Sequence, residues 1–196
     1  TNTAGSRKLT GGSEVLVGVR AAGTNLIFTD AAVWTMTFVS GDDTFGFDNV
    51  AAGAAGATGP LGVAEAGGTV YWIGQNNFWL FDGVVRPIPN SDDIRRHVFD
   101  KITQLQRDKI VCGINSIFAE VWFFYPYSSG LENAAYVKYN WTDKCWDVGL
   151  LGRTAMADKS TFENPLMAGT DRYLYKHESG VDNDTNITPN DPMNEH

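Results

Sequence analysis

The chain has 196 residues, of which 43% are hydrophobic, 12% aromatic and 19% charged. This supply of core-forming side chains excludes a largely disordered chain, and the length suffices for one domain with a substantial core. A net charge of −8 disfavours functions that depend on a basic surface binding nucleic-acid phosphates. No apolar run approaches the roughly 20 residues of a membrane span, and Thr1–Thr10 lack the apolar core of a signal peptide.

The first predicted elements are strands within about residues 14–39. Val15–Val19 is an apolar strand, and a turn follows it. Asn25–Asp30 and Val33–Phe38 then pair across a second, tight turn. Their β-branched residues favour extended backbone. The sequence therefore begins with antiparallel strands.

The most informative segment is an aromatic-rich hairpin at 69–83, and looser versions of it recur along the chain. Its strands, Val70–Ile73 and Phe78–Phe81, are joined by Gly-Gln-Asn-Asn, whose Gly and Asn residues supply the positive φ of hairpin turns. The Gly- and Ala-rich segment 51–62 precedes it and has too few large side chains for a core of its own. We therefore expect 51–62 to be a long connection lying over or between sheets.

A short helix is predicted over about 90–105. Apolar residues recur there at three- and four-residue steps, at Ile94, Val98, Ile102 and Leu105. Asn90 or Ser91 is the expected N-cap, and two Asp residues follow at the positive end of the helix dipole. The helix should lie with its apolar side on the sheets.

The second half of the chain is predicted to return to paired strands, at about 109–148 and 165–177. In the 69–83 hairpin apolar residues fall on both faces, as in a sheet covered on both sides. The predicted fold class is all-β, with β-propeller-like blades of antiparallel hairpins and one short helix, in a domain over 1–181. Residues 182–196 are predicted as a polar acidic tail or connection. A closely packed sandwich with an added helix is the alternative.

Six tryptophans supply much of the predicted core. The four interpreted as blade core are Trp34, Trp72, Trp122 and Trp146. Exposed aromatics would instead suit sugar binding, with Trp79 or Trp141 stacking on a pyranose ring. Core packing accounts for most of these rings more simply.

The residue types that most often carry chemistry do not form a recognisable motif here. Cys112 and Cys145 lie in different apolar strands and are predicted as buried free thiols, with a single bridge between them as the alternative. His97, His177 and His196 are far apart and match no metal-ligand spacing. The sequence predicts no catalytic, cofactor-binding or metal-binding residue.

Residues Asp182, Asp184 and Asn186 occupy positions one, three and five of an EF-hand loop. The match then ends, since position six is Ile187 where Gly is required and position twelve is Met193 where Glu is required. We interpret this segment as solvated acidic chain.

Asp42, Asp43 and Asp48 raise the hypothesis of a glycosidase with two carboxylates. Such an enzyme needs its two carboxylates about 5 to 9.5 Å apart in a cleft. Carboxylates at a turn more often solvate the turn, so the preferred interpretation is that they are not catalytic.

Several strings of the chain resemble a known family, that of the tail nozzle, tail tubular and tail-hub stabilisation proteins of short-tailed bacteriophages. The strings that carry the resemblance are Thr29–Phe38, Val70–Gly83, His97–Asp100, Asn115–Pro126 and Ala168–Glu178. The similarity covers nearly the whole chain. Its motifs are structural and contain no active site.

The resemblance implies a β-propeller-containing structural subunit of the virion, assembled in the host cytoplasm, with no enzymatic activity and no cofactor. It implies a ring, commonly hexameric, below the portal and adaptor, which other tail proteins contact and through which DNA leaves. Family members are longer, which agrees with our expectation that a chain beginning in polar residues without Met is a fragment. A net charge of −8 suits such a conduit, because like charge repels DNA within roughly 8 Å at physiological salt.

Within this hypothesis, loops 40–43 and 128–132 are the expected contacts with partners. A carbohydrate- or receptor-binding propeller module remains the main alternative. A glycan-degrading tail enzyme is the third hypothesis.

Overall fold

The computed structural model describes residues 6–21, 23–39 and 44–179 of the chain. Strands account for 48% of the structure, which contains four antiparallel sheets and two short helices. The prediction of an all-β fold is confirmed. Each sheet is a meander in which strands that follow one another in sequence are neighbours in space.

Sheet 1 contains β1 (Val15–Ala21), β2 (Thr24–Thr29), β3 (Val33–Phe38) and β4 (Phe45–Ala51). Sheet 2 contains β5 (Val63–Ala66), β6 (Thr69–Ile73), β7 (Phe78–Phe81) and β8 (Val85–Pro87). Sheet 3 contains β9 (Val111–Asn115), β10 (Glu120–Pro126), β11 (Asn133–Asn140) and β12 (Cys145–Gly149). Sheet 4 contains β13 (Arg153–Ala157), β14 (Leu166–Gly169) and β15 (Leu174–Lys176).

Side chains of β6 alternate between two hydrophobic clusters on opposite faces of sheet 2. Val70 and Trp72 are buried in a cluster with residues of sheet 1. Tyr71 and Ile73 are buried in a second cluster with residues of sheet 3. Because successive side chains of a strand point to opposite faces, an unbroken apolar strand must be covered on both sides. Sheet 2 accordingly packs between sheets 1 and 3.

The same arrangement holds for β10 in sheet 3. Val121 and Phe123 belong to the cluster shared with sheet 2. Trp122 and Phe124 lie on the other face and pack with Met167 of sheet 4. The two central sheets therefore each have an apolar layer on both faces.

The first strands of successive sheets lie beside one another. β1 contacts β5, β5 contacts β9, and β9 contacts β13. The four sheets thus follow one another in space in chain order. The described residues close into neither a barrel nor a propeller.

The segment predicted as a connection at 51–62 begins one residue later, because Ala51 still belongs to β4. The part of the connection around Ala55 and Ala57 lies between sheets 1 and 2. Ala57 donates its backbone N–H to the carbonyl of Thr29 at 3.1 Å. The indole Nε1 of Trp72 donates to the carbonyl of Ala55 at 2.7 Å. Small side chains are needed here because the backbone itself, and not a side chain, fills the space between the sheets.

The helix is shorter than predicted. α1 spans Asp92–Phe99, and a separate 3-10 helix follows at Gln104–Lys109. Ile102, expected inside one continuous helix, forms an isolated β-bridge with Tyr127, and Leu105 is 90% exposed. Pairing of the chain with the segment after β10 therefore ends the helix, and the prediction of one helix over 90–105 is wrong in its extent.

The start of α1 is held by its backbone and by a neighbouring turn. Ser91 occupies the N-cap position, but its side chain makes no capping hydrogen bond. Its carbonyl accepts the N–H of Arg95 at 2.7 Å. Asn90 donates through Nδ2 to the carbonyl of Lys144 at 3.0 Å. This bond ties the start of the helix to the β11–β12 turn.

Four strands lie outside the predicted strand pairs, namely β4, β5, β8 and β13. Their side chains are half-buried or exposed. Aromatic content does not mark β5, β8 and β13 in the sequence. β4 differs, because Phe45 and Phe47 alternate in it, and the prediction missed this signal. All four strands form because their backbones hydrogen-bond to the N–H and C=O groups that would otherwise be unpaired on one side of the neighbouring strands. These neighbours are β3, β6, β7 and β14.

Replacement of Gly56 tests how closely the connection packs between sheets 1 and 2. A Cβ at this position would lie 2.5 Å from the carbonyl oxygen of Thr29 and would also collide with the backbone N of Ala31. We expect Gly56→Ala to lower the free energy of unfolding by about 2 kcal/mol, measured by chemical denaturation. Gly18→Ala is the control, because its nearest contact would be an ordinary 3.9 Å. Equal stability of the two variants would contradict the prediction.

Candidate functional site

A cleft of about 650 Å³ opens where β5, β9 and β13 lie side by side. Its lining includes the ends of these three strands and the β11–β12 turn. Gly113 of β9 allows Met156 of β13 to come close, since a Cβ on Gly113 would be 2.6 Å from the Met156 sulfur. The cleft is therefore formed by three sheets and exists only in the assembled fold.

One wall of the cleft is aromatic. The rings of Tyr71 and Trp141 are stacked, with centroids 5.8 Å apart and planes 19° from parallel. Tyr71 is buried on β6, whereas Trp141 in the β11–β12 turn is half-buried. Burial, together with the neighbouring Tyr139, raises the pKa of Tyr71 to about 12. Tyr71 therefore stays neutral at physiological pH.

Two carboxylates lie in the lining, and the backbone anchors each by one oxygen. Glu65 Oε1 accepts the N–H of Gly68 at 2.6 Å. Asp158 Oδ1 accepts the N–H of Ser116 at 3.0 Å and that of Lys159 at 2.8 Å. The second oxygen of each carboxylate makes no hydrogen bond to the described residues. No Lys, Arg or His is among the described residues that line the cleft.

The two cysteines are both free. Cys112 lies in the lining of the cleft and is buried, as predicted, and burial raises the pKa of its thiol well above the ordinary value. It therefore remains a protonated, unreactive thiol. Cys145 is exposed, so the prediction of burial is wrong for it. The reason is its place at the start of β12, an edge strand of sheet 3.

The tryptophans divide between core and cleft. Three of the four predicted core rings are buried and the fourth is half-buried: Trp34, Trp72, Trp122 and Trp146. Trp146 packs against Phe78 and donates through Nε1 to the carbonyl of Pro89 at 2.8 Å. Of the two candidates for sugar stacking, Trp79 packs against the core between sheets 1 and 2. Trp141 alone of these two lines the cleft.

The remaining residues considered from the sequence do not converge on this cleft. His97 is half-buried on α1, and Asp48 is exposed on β4. Within 6–21, 23–39 and 44–179, no group of three or more His, Cys, Asp or Glu side chains is placed to hold a metal ion. The following lie outside the described residues: Asp42, Asp43, Asp182, Asp184, Asn186, Ile187, Met193 and His196.

A polar cluster on sheet 4 brings Arg153 to the segment 171–177, which is distant from it in the sequence. Arg153 Nε donates to His177 Nε2 at 3.1 Å, and its guanidinium lies 4.1 Å from the centre of the Tyr175 ring. The Tyr175 hydroxyl donates to Asp171. Burial, and secondly the charge of Arg153, lower the pKa of His177 to about 4. His177 is thus held neutral as a hydrogen-bond acceptor.

A second ion-pair cluster lies on sheet 3. Lys138 Nζ is 2.9 Å from Glu120 Oε1 and 4.9 Å from the centre of the Trp122 ring. Trp122 Nε1 donates to Glu120 Oε2 at 2.9 Å. Burial alone would lower the pKa of Lys138, but the hydrogen bond and charge of Glu120 raise it above its ordinary value. This arrangement satisfies a buried carboxylate and fixes the Trp122 ring, which is a structural role.

A comparison of the chain with protein-family models and with curated proteins gives no match. The resemblance to phage tail proteins therefore depends on the sequence strings alone. None of the helices in the described part of the chain is long and apolar enough to cross a membrane.

The His177 environment predicts a pH dependence of stability. The unfolded chain binds a proton at His177 near its ordinary pKa of 6.5, whereas the folded chain does so only near 4. Folding stability should therefore fall as the pH drops from about 6.5 to 4. Allowing for solvent screening of this half-buried group, the loss is on the order of 1 kcal/mol.

The variant His177→Gln separates this loss from the titration of carboxylates. Gln keeps an oxygen that can accept from Arg153 but takes up no proton. Thermal unfolding followed by circular dichroism between pH 7 and pH 4 should show a smaller loss in the variant than in the wild type. Identical losses would contradict the assignment.

Proposed function

We propose that this chain is a structural subunit of a bacteriophage tail, with β-propeller-like blades that form part of a nozzle or hub ring. In this proposal the ring, commonly hexameric in the family that the sequence resembles, contacts the portal, the adaptor and other tail proteins, and the genome passes through it. The chain has no enzymatic role and needs no cofactor. The observation that carries the proposal is the order of the first strands, β1 beside β5, β5 beside β9 and β9 beside β13.

This order supports the blade interpretation. In a β-propeller each blade is a small antiparallel meander, and successive blades surround a central axis. Sheets 1, 2 and 3 are four-stranded meanders of this kind, and sheet 4 has three strands. The apolar layers between neighbouring sheets are also expected of blades, because each blade is covered on both faces.

The use of the aromatic residues supports a scaffolding role. Phe78 contacts Phe99, Phe123 and Trp146, with ring centroids 5.1 to 5.4 Å apart. Within sheet 3, Trp122 of β10 packs against Tyr136 of the neighbouring strand β11 at 4.7 Å. Such pairs stabilise packing beyond the area they bury. The contacts of Phe78 therefore join sheet 2 to α1 and to sheet 3.

Exposed apolar side chains on β3, on β4 and in the loop 128–132 support assembly. Phe38 and Phe45 are 73% and 47% exposed and pack edge-to-face at 6.3 Å across β3 and β4. Leu131 is 69% exposed within the predicted contact loop 128–132. Apolar side chains left in water favour association. These positions suit contacts between subunits or with other tail proteins.

The net charge supports a conduit that does not retain DNA. The formal value of −8 repels phosphates over a distance of roughly 8 Å at physiological salt. A channel wall with like charge would allow the genome to pass without sequence-specific binding.

The carbohydrate- or receptor-binding alternative has one specific observation in its favour: the lining of the cleft contains Trp141 together with two carboxylates, Glu65 and Asp158. It is compatible with the ring, because Phe38, Phe45 and Leu131 are not among the residues that line the cleft. The third hypothesis, a glycan-degrading tail enzyme, would have to use the carboxylates Glu65 and Asp158, each of which has one oxygen already occupied by backbone N–H groups.

Mass photometry of the full-length protein tests the proposed function. Alone or with the portal complex, the protein should assemble into a ring. Leu131→Asp should shift the distribution toward the monomer, because it places a charge in the expected contact. Leu105→Asp is the matched control, since Leu105 is 90% exposed but lies outside the expected contact loops. A protein that stays monomeric and has no affinity for the portal complex would overturn the proposal.

A further inference from the structure

The cleft between β5, β9 and β13 has the size and the mixed lining of a small-molecule site. Its volume of about 650 Å³ lies within the roughly 300–1,000 Å³ of typical ligand pockets. Apolar and polar groups both line it, from three different sheets. Packing of the sheets alone does not require a half-buried tryptophan and two carboxylates at such a place.

The aromatic wall is held in position before any ligand arrives. Tyr71 covers one face of Trp141, at 5.8 Å between centroids, and is itself buried in the core between sheets 2 and 3. The backbone N–H of Trp141 donates to the carbonyl of Ala119 at 2.9 Å, which fixes the turn that carries it. The indole N–H of Trp141 makes no hydrogen bond to the described residues. A rigid aromatic ring of this kind binds with little loss of side-chain entropy.

The carboxylates are also fixed in advance. One oxygen of Glu65 is held by Gly68, and one oxygen of Asp158 is held by Ser116. The other oxygen of each is left to accept hydrogen bonds from outside the described protein. Hydrogen bonds to a carboxylate are stronger than those between neutral groups. The cleft therefore combines a flat apolar surface with strong acceptors.

This combination selects among ligand classes. An anion is disfavoured by the two carboxylates and by the absence of Lys, Arg and His among the described lining residues. A bare cation is best held by rings that surround it, whereas Tyr71 and Trp141 are only 19° from parallel and form one flat stack. A sugar ring has an apolar C–H face to lie on tryptophan and hydroxyl donors for carboxylates. We propose that the cleft binds a neutral carbohydrate, with Trp141 as the stacking platform and Glu65 and Asp158 as acceptors.

The test begins with an array of neutral gluco-, galacto-, manno- and N-acetylglucosamine oligosaccharides. Any hit is then titrated by isothermal titration calorimetry, which does not depend on Trp141 as the reporter. We expect Trp141→Ala to weaken binding at least tenfold and Trp141→Phe to weaken it less. Asp158→Asn should weaken binding by about threefold while its amide oxygen still accepts from Ser116. Tyr173→Ala is the matched control, an aromatic that is 63% exposed outside the cleft, and it should bind as the wild type does.

Circular dichroism of each variant first establishes that it is folded. If Trp141→Ala is unfolded, the conservative variants Trp141→Phe and Asp158→Asn still decide the test. The proposal is overturned if the wild type binds no neutral oligosaccharide at millimolar concentration, or if Trp141→Phe and Asp158→Asn both bind as tightly as the wild type. Binding of a lysine-rich peptide in place of any saccharide would also overturn it, and would assign the cleft to cations. None of these outcomes depends on ring assembly, so this proposal and the proposed function can fail separately.

Discussion

Burial of both faces of β6 and β10 is the constraint on which the rest of the structure depends. Neither strand contains a polar face that could be left in water, so each needs an apolar layer on either side. Trp72 and Tyr71 are adjacent in the chain but lie in different clusters. The fold satisfies both strands by placing sheet 2 between sheets 1 and 3, and sheet 3 between sheets 2 and 4.

The same constraint explains the composition of the connection after β4 and the position of the cleft. The space between sheets 1 and 2 is filled partly by the backbone of 51–62, which is why that connection is rich in Gly and Ala. The cleft follows from the same packing, because Tyr71 is held in the core by its neighbours and in turn supports Trp141. A structural role for most aromatics and a binding role for Trp141 are therefore consistent with each other.

Much of the fold could be predicted, and the errors have definite physical causes. The hairpin at 69–83 and the pair formed by β10 and β11 are recognisable because their continuous or alternating apolar residues are themselves core. The strands β5 and β13 could not be recognised, since they are held by ladder hydrogen bonds to neighbours and have half-buried side chains. The predicted extent of the helix was wrong. Ile102 fits the three- and four-residue spacing of apolar residues in a helix, but it forms a β-bridge with Tyr127 instead.

By itself, the sequence determined that the chain is all-β, that most large rings are core and that 51–62 is a connection between sheets. These properties depend on local composition and on the period of apolar residues, which a sequence displays directly. Only the tertiary structure decided that Trp141 and not Trp79 lines a cleft, and that Glu65 and Asp158 lie in the same lining. Residues this far apart in sequence meet through the packing of different sheets, and no local pattern encodes the distance between them.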